Sequence, residues 1–325
     1  MNSIELFKNL VSEGIRVGEP RAAGPLTLFP LSHDLRAGDH LLYQDAHAQS
    51  LITIEETSEA GTVGELKVTN RGTQPVLLLE GEVLLGMKQT RVLNASILVP
   101  GLAVLNVPVS CVEVGRWHRM SDAAIGKDRL NLSPKVRGAK TASVTRSSRA
   151  TGAYRSDQGA VWDGVASVLS EHSVDAPTGS YADFTRDRAS DLFDQIRELR
   201  PEPQQSGVLA YVDGSPSCLD LFDSAAALNS LWESLIGSYA ADAGGQSRAT
   251  KVPSRPSAMR WLRGLADGDI ASTRAIGLGD NVTSIGRGGE AAALVNDGRV
   301  LHLAAFPGER KQVRSAFLSP ARRRR

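Results

Sequence analysis

The chain has little cysteine, little aromatic surface and almost no net charge, and each shortage removes a class of function. Its 325 residues include two cysteines, Cys111 and Cys218. Two cannot build a disulfide framework, and neither stands in a Cys-x-x-Cys pair of the kind that opens a zinc site. Such sparing use of cysteine predicts a reducing, cytoplasmic setting. Aromatic residues make up 5% of the chain, too few to suggest stacking platforms for single-stranded nucleic acid. A formal net charge of +1 gives no electrostatic case for nucleic acid or an anionic membrane as partner. No apolar run approaches the roughly 20 residues that span a bilayer, so no membrane association is expected. The first ten residues carry Glu5 and Lys8 without an apolar core and do not read as a signal peptide.

Recognisable cofactor motifs are missing too. The histidines, His33, His40, His47, His118, His172 and His302, are scattered without metal-ligand spacing, so no metal is expected. Gly277-Leu278-Gly279-Asp280 and Gly286-Arg287-Gly288-Gly289 resemble phosphate loops only superficially. Neither follows a strand and opens a helix in a βαβ unit, so both read as loops. There is no Walker lysine and no Gly-x-Ser-x-Gly elbow, and the cofactor stays unknown.

What is present is an ordinary globular composition, 41% hydrophobic and 22% charged. The segment 24–118 reads as β-rich. Leu26–Leu31, Leu51–Glu56, Thr62–Thr69, Val76–Leu79 and Val104–Val112 are short apolar or alternating runs between turn signals. Arg91–Val99 alternates as one strand, with Leu93, Ala95, Ile97 and Val99 on one face. Ser133–Ala150 carries Lys135, Arg137, Lys140, Arg146 and Arg149 and no acid. It reads as a solvated, mobile loop or frayed helix, with a phosphate-binding arm as the alternative. Helical spacing then places one helix around Trp162–Leu169 and another over Ala189–Leu199, capped at Asp183 and stopped by Pro201-Glu202-Pro203. Gly207–Val212 and Cys218–Phe222 pair as strands, and Ala225–Tyr239 is an amphipathic helix. A terminal hairpin turns at Asp297-Gly298. The expected architecture is α+β: an antiparallel sandwich or barrel-like core with helices around it, closed by that C-terminal hairpin. One domain is expected over 14–310, divided into the β-rich part, a basic loop and helices over 119–205, and a strand, helix and hairpin part over 206–310. A disordered basic tail follows over 311–325.

One stretch stands apart. From Leu79 to Asn94, and again from Pro108 to Trp117, charged and amide side chains interrupt strands that otherwise look like core. Burying charge is costly unless it is paired or used, so the block marks a candidate site. Glu82 and Glu113 are the candidate general bases. Lys88 and Arg91 suit phosphate, Gln89 and Asn94 suit amide recognition, Arg116 suits an oxyanion and Trp117 suits stacking. Each has a structural alternative: an internal network fastening two strands, and a tryptophan that seals a core edge. Cys111 shares strand parity with Leu105, Val107 and Val109, which points it into the core and away from service as a nucleophile.

On these residues the chain resembles a bacterial family, the ARG-and-rhodanese-phosphatase-superfamily-associated protein domain, where ARG is ADP-ribosylglycohydrolase. The resemblance rests on Gly81-Glu82, Gly86, Lys88-Gln89, Arg91, Asn94 and Val99-Pro100, then Pro108 to Glu113 and Gly115-Arg116-Trp117. Weaker echoes are Gln158, Val161-Trp162, Gly207, Asp220-Leu221-Phe222 and His302-Leu303. Met87 stands where the family favours a small residue, and Thr90 where it favours Asn. The resemblance implies a setting in NAD or ADP-ribose metabolism, not a reaction. Two expectations follow. The first is a domain that binds, and in its catalytic form hydrolyses, an ADP-ribose-like or other phosphorylated small ligand. The second is a non-catalytic interaction or regulatory module whose polar block is structural.

Overall fold

The computed structural model describes residues 1–59, 61–118, 120–125, 130–186, 191–243 and 252–308. Alternation of short, β-branched runs with tight turns yields three sheets. The largest runs Arg16–Val17, Leu26–Ser32, Gly207–Val212, Ser215–Phe222, Arg299–Phe306, Gly289–Asn296, Asp280–Gly286 and Asp269–Arg274, all antiparallel, with Arg21–Ala23 also paired to Leu26–Ser32. Its central strands are apolar on both faces because both faces are covered. Leu26, Leu28, Val208 and Ala210 join one core, while Phe29, Leu31, Leu209 and Tyr211 join another on the opposite side. The N-terminal helix Ser3–Asn9 and the helix Arg255–Arg263 flank the second core. Asn2 and Glu5 form a capping box that starts the first of these.

The second sheet contains Ala124–Ile125, Val83–Gly86, Arg91–Leu93, Val104–Cys111, Glu65–Asn70 and Ile52–Glu56. A bridge between Glu55 and Ala123 brings its two edges back together, so the sheet curls into a small barrel. Ile54, Leu66, Val68, Leu93, Val107 and Val109 fill its interior. A third sheet is centred on Val76–Leu78, which pairs antiparallel with Ile97–Val99 and parallel with Leu41–Leu42. The α+β expectation, with a barrel-like core and helices around it, holds. The C-terminal hairpin turns at Asp297 (φ 48°) and Gly298 (φ 70°), the two left-handed residues a type I′ turn requires. Gly286–Gly289 is likewise the turn of a hairpin and opens no helix.

Three expectations are corrected. Ser133–Ala150 is not a mobile loop: Pro134–Thr151 is a helix, with proline in its first turn and left-handed Gly152 at its C-terminus. The inward face of this helix is polar. It buries Arg137, Lys140, Thr141, Thr145 and Ser148, so an apolar periodicity was never there to be read. Arg91–Val99 is two strands in two sheets, Arg91–Leu93 and Ile97–Val99, separated by a bend at Asn94–Ala95. Both faces of this stretch are buried, so alternation does not report the break. Asp183 lies inside a separate helix, Tyr181–Arg186, and does not cap Asp191–Arg197. Ala189 and the basic tail lie outside the described residues.

The buried helix cations close a network that ties all layers together. Arg137 donates to Glu80 at 2.8 Å and 3.2 Å and to both oxygens of Asp220 at 2.7 Å and 3.0 Å. Lys140 pairs with Glu80 at 2.7 Å and donates to the carbonyls of Leu93 and Asn94. Tyr239 Oη and His302 Nε2 complete the Asp220 shell. Burial alone would raise the Asp220 carboxyl, but Arg137 and His302 hold it well below its ordinary range. Gly81, at φ 84°, lies so close to Arg137 that a Cβ there would collide with its Nε and Cδ. Replacing Arg137 by Ala should therefore take the shared cation from two buried carboxylates and cost about 3–5 kcal/mol in a urea titration, since one partner of a buried pair is removed. A loss under 1 kcal/mol would contradict the clamp.

Candidate functional site

The candidate residues divide among three places. Glu82 faces Gln44, which donates to it at 2.8 Å, and it also receives the Leu79 amide. Asn94 receives Ser110 Oγ at 2.6 Å and donates to the Tyr154 carbonyl at 2.9 Å, which anchors the chain bend. Lys88, Gln89, Arg91, Glu113, Arg116 and Trp117 come together at one mouth of the barrel.

Strand register builds that mouth. Arg91 pairs directly with Cys111 across the antiparallel ladder, which sets the guanidinium beside the thiol. Gln89 is the hub: its Oε1 accepts Arg91 Nη1 at 2.7 Å and Cys111 Sγ at 3.1 Å, while its Nε2 donates to the Glu113 carbonyl. The Gln158 side-chain amide pairs with both backbone groups of Cys111 at 2.8 Å, continuing the ladder beyond the sheet edge. Before this strand the chain turns sharply at Gly86 (φ 91°) and buried Met87 (φ 51°), a conformation that a non-glycine residue seldom adopts. Arg116 holds the turn by donating to the carbonyls of Gly86 and Met87.

Glu113 and Arg116 form a clamp. Arg116 reaches Glu113 through Nε at 2.9 Å and Nη2 at 2.6 Å. The Thr90 amide and hydroxyl and the Thr178 hydroxyl also donate to this carboxylate, at 2.9 Å, 2.9 Å and 2.8 Å. Burial pushes Glu113 upward, but these donors outweigh it and hold the carboxyl at about 2. A carboxylate so occupied is ionised at neutral pH and has little drive to take a proton. Burial raises the Cys111 thiol, and Arg91 only partly offsets this, so the thiolate is disfavoured.

Arg91 differs from every other buried guanidinium described. Arg137 and Arg116 spend all three nitrogens on carboxylates or carbonyls. Arg91 is 0% exposed and uses Nη1 alone, leaving Nε and Nη2 buried without a partner. Those two N–H groups lie along one edge of the guanidinium, the fork that grips a carboxylate or phosphate bidentately. The Trp117 ring, 46% exposed, stands with its centroid 5.5 Å from Arg91 and 5.6 Å from Lys88 Nζ.

Glu56 belongs to the same mouth and was missed. Its Oε1 accepts the Lys88 amide at 3.1 Å, and its Oε2 is buried without a partner. Ile52, Ile54 and Glu56 share the inward parity of their strand, and a charge on an apolar parity was the signal that could have found it. Also missed were Thr178 and the Glu80–Arg137–Asp220 network. That network contains a hydrogen-bond chain from Ser96 Oγ to His302 Nδ1 (2.7 Å) and from His302 Nε2 to Asp220 (3.3 Å). Every one of these atoms is partnered, and the cavity beside Ser96 is about 30 Å³, room for water but not for a substrate. It is structural. Among the described residues, no three His, Cys, Asp or Glu side chains gather as a metal site, and no helix is long and apolar enough to cross a membrane.

The clamp makes stability depend on pH with a defined sign. The folded Glu113 value of about 2 lies below its ordinary 4.5, so its contribution is present above 4.5 and fades as pH falls toward 2. A Glu113→Gln variant should be less stable at pH 7, and its urea midpoint should fall less steeply than wild type between pH 5 and pH 2. Parallel slopes would show that the clamp carries no linked proton.

Neither a curated protein nor a solved structure matches the chain. The match to one family model runs over residues 14–306. On that span, nearly the whole chain, the protein belongs to the ARG and Rhodanese-Phosphatase-superfamily-associated Protein domain family, ARPP-1.

Proposed function

We propose that the barrel mouth binds a phosphorylated small ligand of the ADP-ribose class, and that it recognises this ligand without hydrolysing it. The observation that carries this reading is the free edge of Arg91. A buried guanidinium with two unsatisfied N–H groups is expensive, and an oxyanion in the fork would repay it with charge-assisted hydrogen bonds. Gln89 fixes the orientation of the fork through Nη1, and the half-exposed Trp117 ring offers a platform for a base or a sugar face.

The carboxylates support recognition over hydrolysis. Glu113 is committed to Arg116, Thr90 and Thr178, and Glu82 meets Gln44. Neither is arranged to activate a water at the Arg91 fork. The family setting agrees with an ADP-ribose-like ligand by association alone.

Ligand binding to the folded state alone raises stability by RT ln(1 + [L]/Kd), about 2.7 kcal/mol at a hundredfold excess over Kd. Wild-type protein should therefore melt at higher temperature with millimolar ADP-ribose, and Trp117 fluorescence should change. Arg91→Met should abolish both responses while leaving the unliganded melt unchanged or raised, because a site residue trades stability for binding. A wild-type melt unmoved by ADP-ribose, NAD and inorganic phosphate would overturn the reading, as would an Arg91→Met protein that still responds.

A further inference from the structure

Arg91 is not the mouth's only buried group with spare capacity. Glu56, 7% exposed, uses one carboxylate oxygen on the Lys88 amide and leaves Oε2 buried and unpaired. Arg91 and Glu56 carry opposite charge, and Glu56 holds the amide of Lys88, three residues before Arg91 in the bend that leads into its strand. Both act on the Cys111 thiol, Arg91 lowering it and Glu56 raising it. Yet among the described residues they close no ion pair with each other. The loop over the carboxylate crosses it at Gly61 (φ 75°), where a Cβ would sit 3.1 Å from Glu56 Oε2 and 3.2 Å from Lys88 Cδ. Glycine is what lets the backbone pass this close to the carboxylate.

Two open valences of opposite sign define a ligand with two ends. A simple anion satisfies Arg91 and leaves Glu56 unpaired, with like-charge repulsion added. The second end must donate hydrogen bonds. Arg91 and Lys88 already flank the Trp117 ring, so a neutral donor suits the carboxylate better than a third cation. Hydroxyl groups on a saturated ring meet both needs, giving donors to the carboxylate and an apolar face to the tryptophan. We propose that the mouth selects a sugar phosphate, with the phosphate in the Arg91 fork and ring hydroxyls donating to Glu56 Oε2. This rests on the oxyanion reading of Arg91 and names the ligand class that reading leaves open.

Calorimetric titration of the full chain with ribose 5-phosphate, methyl phosphate and phosphoethanolamine tests it. Hydrogen bonds to a buried carboxylate should favour ribose 5-phosphate over methyl phosphate by about tenfold to a hundredfold. Glu56→Gln should remove that preference while tightening methyl phosphate, because the like-charge repulsion is gone, and a circular dichroism melt checks that the variant folds. Should it not fold, the wild-type ligand series decides alone. Equal affinity for ribose 5-phosphate and methyl phosphate, with both lost in Arg91→Met, overturns the sugar-phosphate inference and leaves the oxyanion site standing. Tighter binding of phosphoethanolamine than of ribose 5-phosphate also overturns it, in favour of an ammonium partner. Binding that survives in Arg91→Met, or no binding by wild type, overturns the oxyanion reading and the inference with it.

Discussion

Arg137 clamped between Glu80 and Asp220 is the interaction on which the rest of the structure depends. Glu80 comes from the turn between the three-stranded sheet and the barrel, Asp220 from the middle of the large sheet, and Arg137 from the helix laid across both. With Lys140 the group holds two cations and two anions, so burial carries no net charge. Burying such a group is tolerable only when its oxygens and nitrogens are partnered. Here they are. The requirement then propagates: Gly81 must be glycine to admit the guanidinium, and Phe306 underlies it at 5.1 Å.

Lys140 transmits this constraint to the barrel. By donating to the carbonyls of Leu93 and Asn94 it fixes the place where the chain leaves one sheet for another. That bend ends the strand Arg91–Leu93 and so pins its short register against Cys111. The position of Arg91 at the mouth is thus set from the far side of its own strand. The structure also supplies its own control for what a buried arginine means. Where arginine is structural, as at 116 and 137, each nitrogen is spent. At 91, with equal burial, two are not. The contrast is internal to one chain, and it supports the proposed ligand reading of Arg91 more directly than charge density does.

The strands with one face in a core, and the hairpin at Asp297-Gly298, were legible in the sequence because period-two burial and left-handed turn residues leave a local signature. The helix Pro134–Thr151 was not, because its buried face is built of Arg, Lys, Thr and Ser. Its partners Glu80 and Asp220 lie 57 and 83 residues from Arg137, a distance at which sequence periodicity is silent. The same blindness shaped the site. The polar block from Glu82 to Trp117 was visible as misplaced charge, yet its division into a clamp, a bend anchor and an open fork depends on which hydrogen bonds close. Glu56 broke the inward parity of Ile52 and Ile54 but stood beside Glu55, and a pair of glutamates at a strand end reads as solvated.

An unsatisfied buried group does more than attract its partner. A site built to receive a hydrogen bond rejects ligands that lack it far more strongly than an apolar pocket rejects a misfit, because the wrong ligand leaves the group desolvated and unpaired. The barrel mouth has two such groups of opposite sign on a rigid frame. Arg91 is held by Gln89, Glu56 by the Lys88 amide, and the turn between them by Arg116. Preorganisation of this kind spends folding energy in advance, and that energy is recovered only when both valences are filled at once. On the proposed reading, the frame discriminates among small phosphates by what lies beyond the phosphate. A single cationic patch on the surface would lack this property.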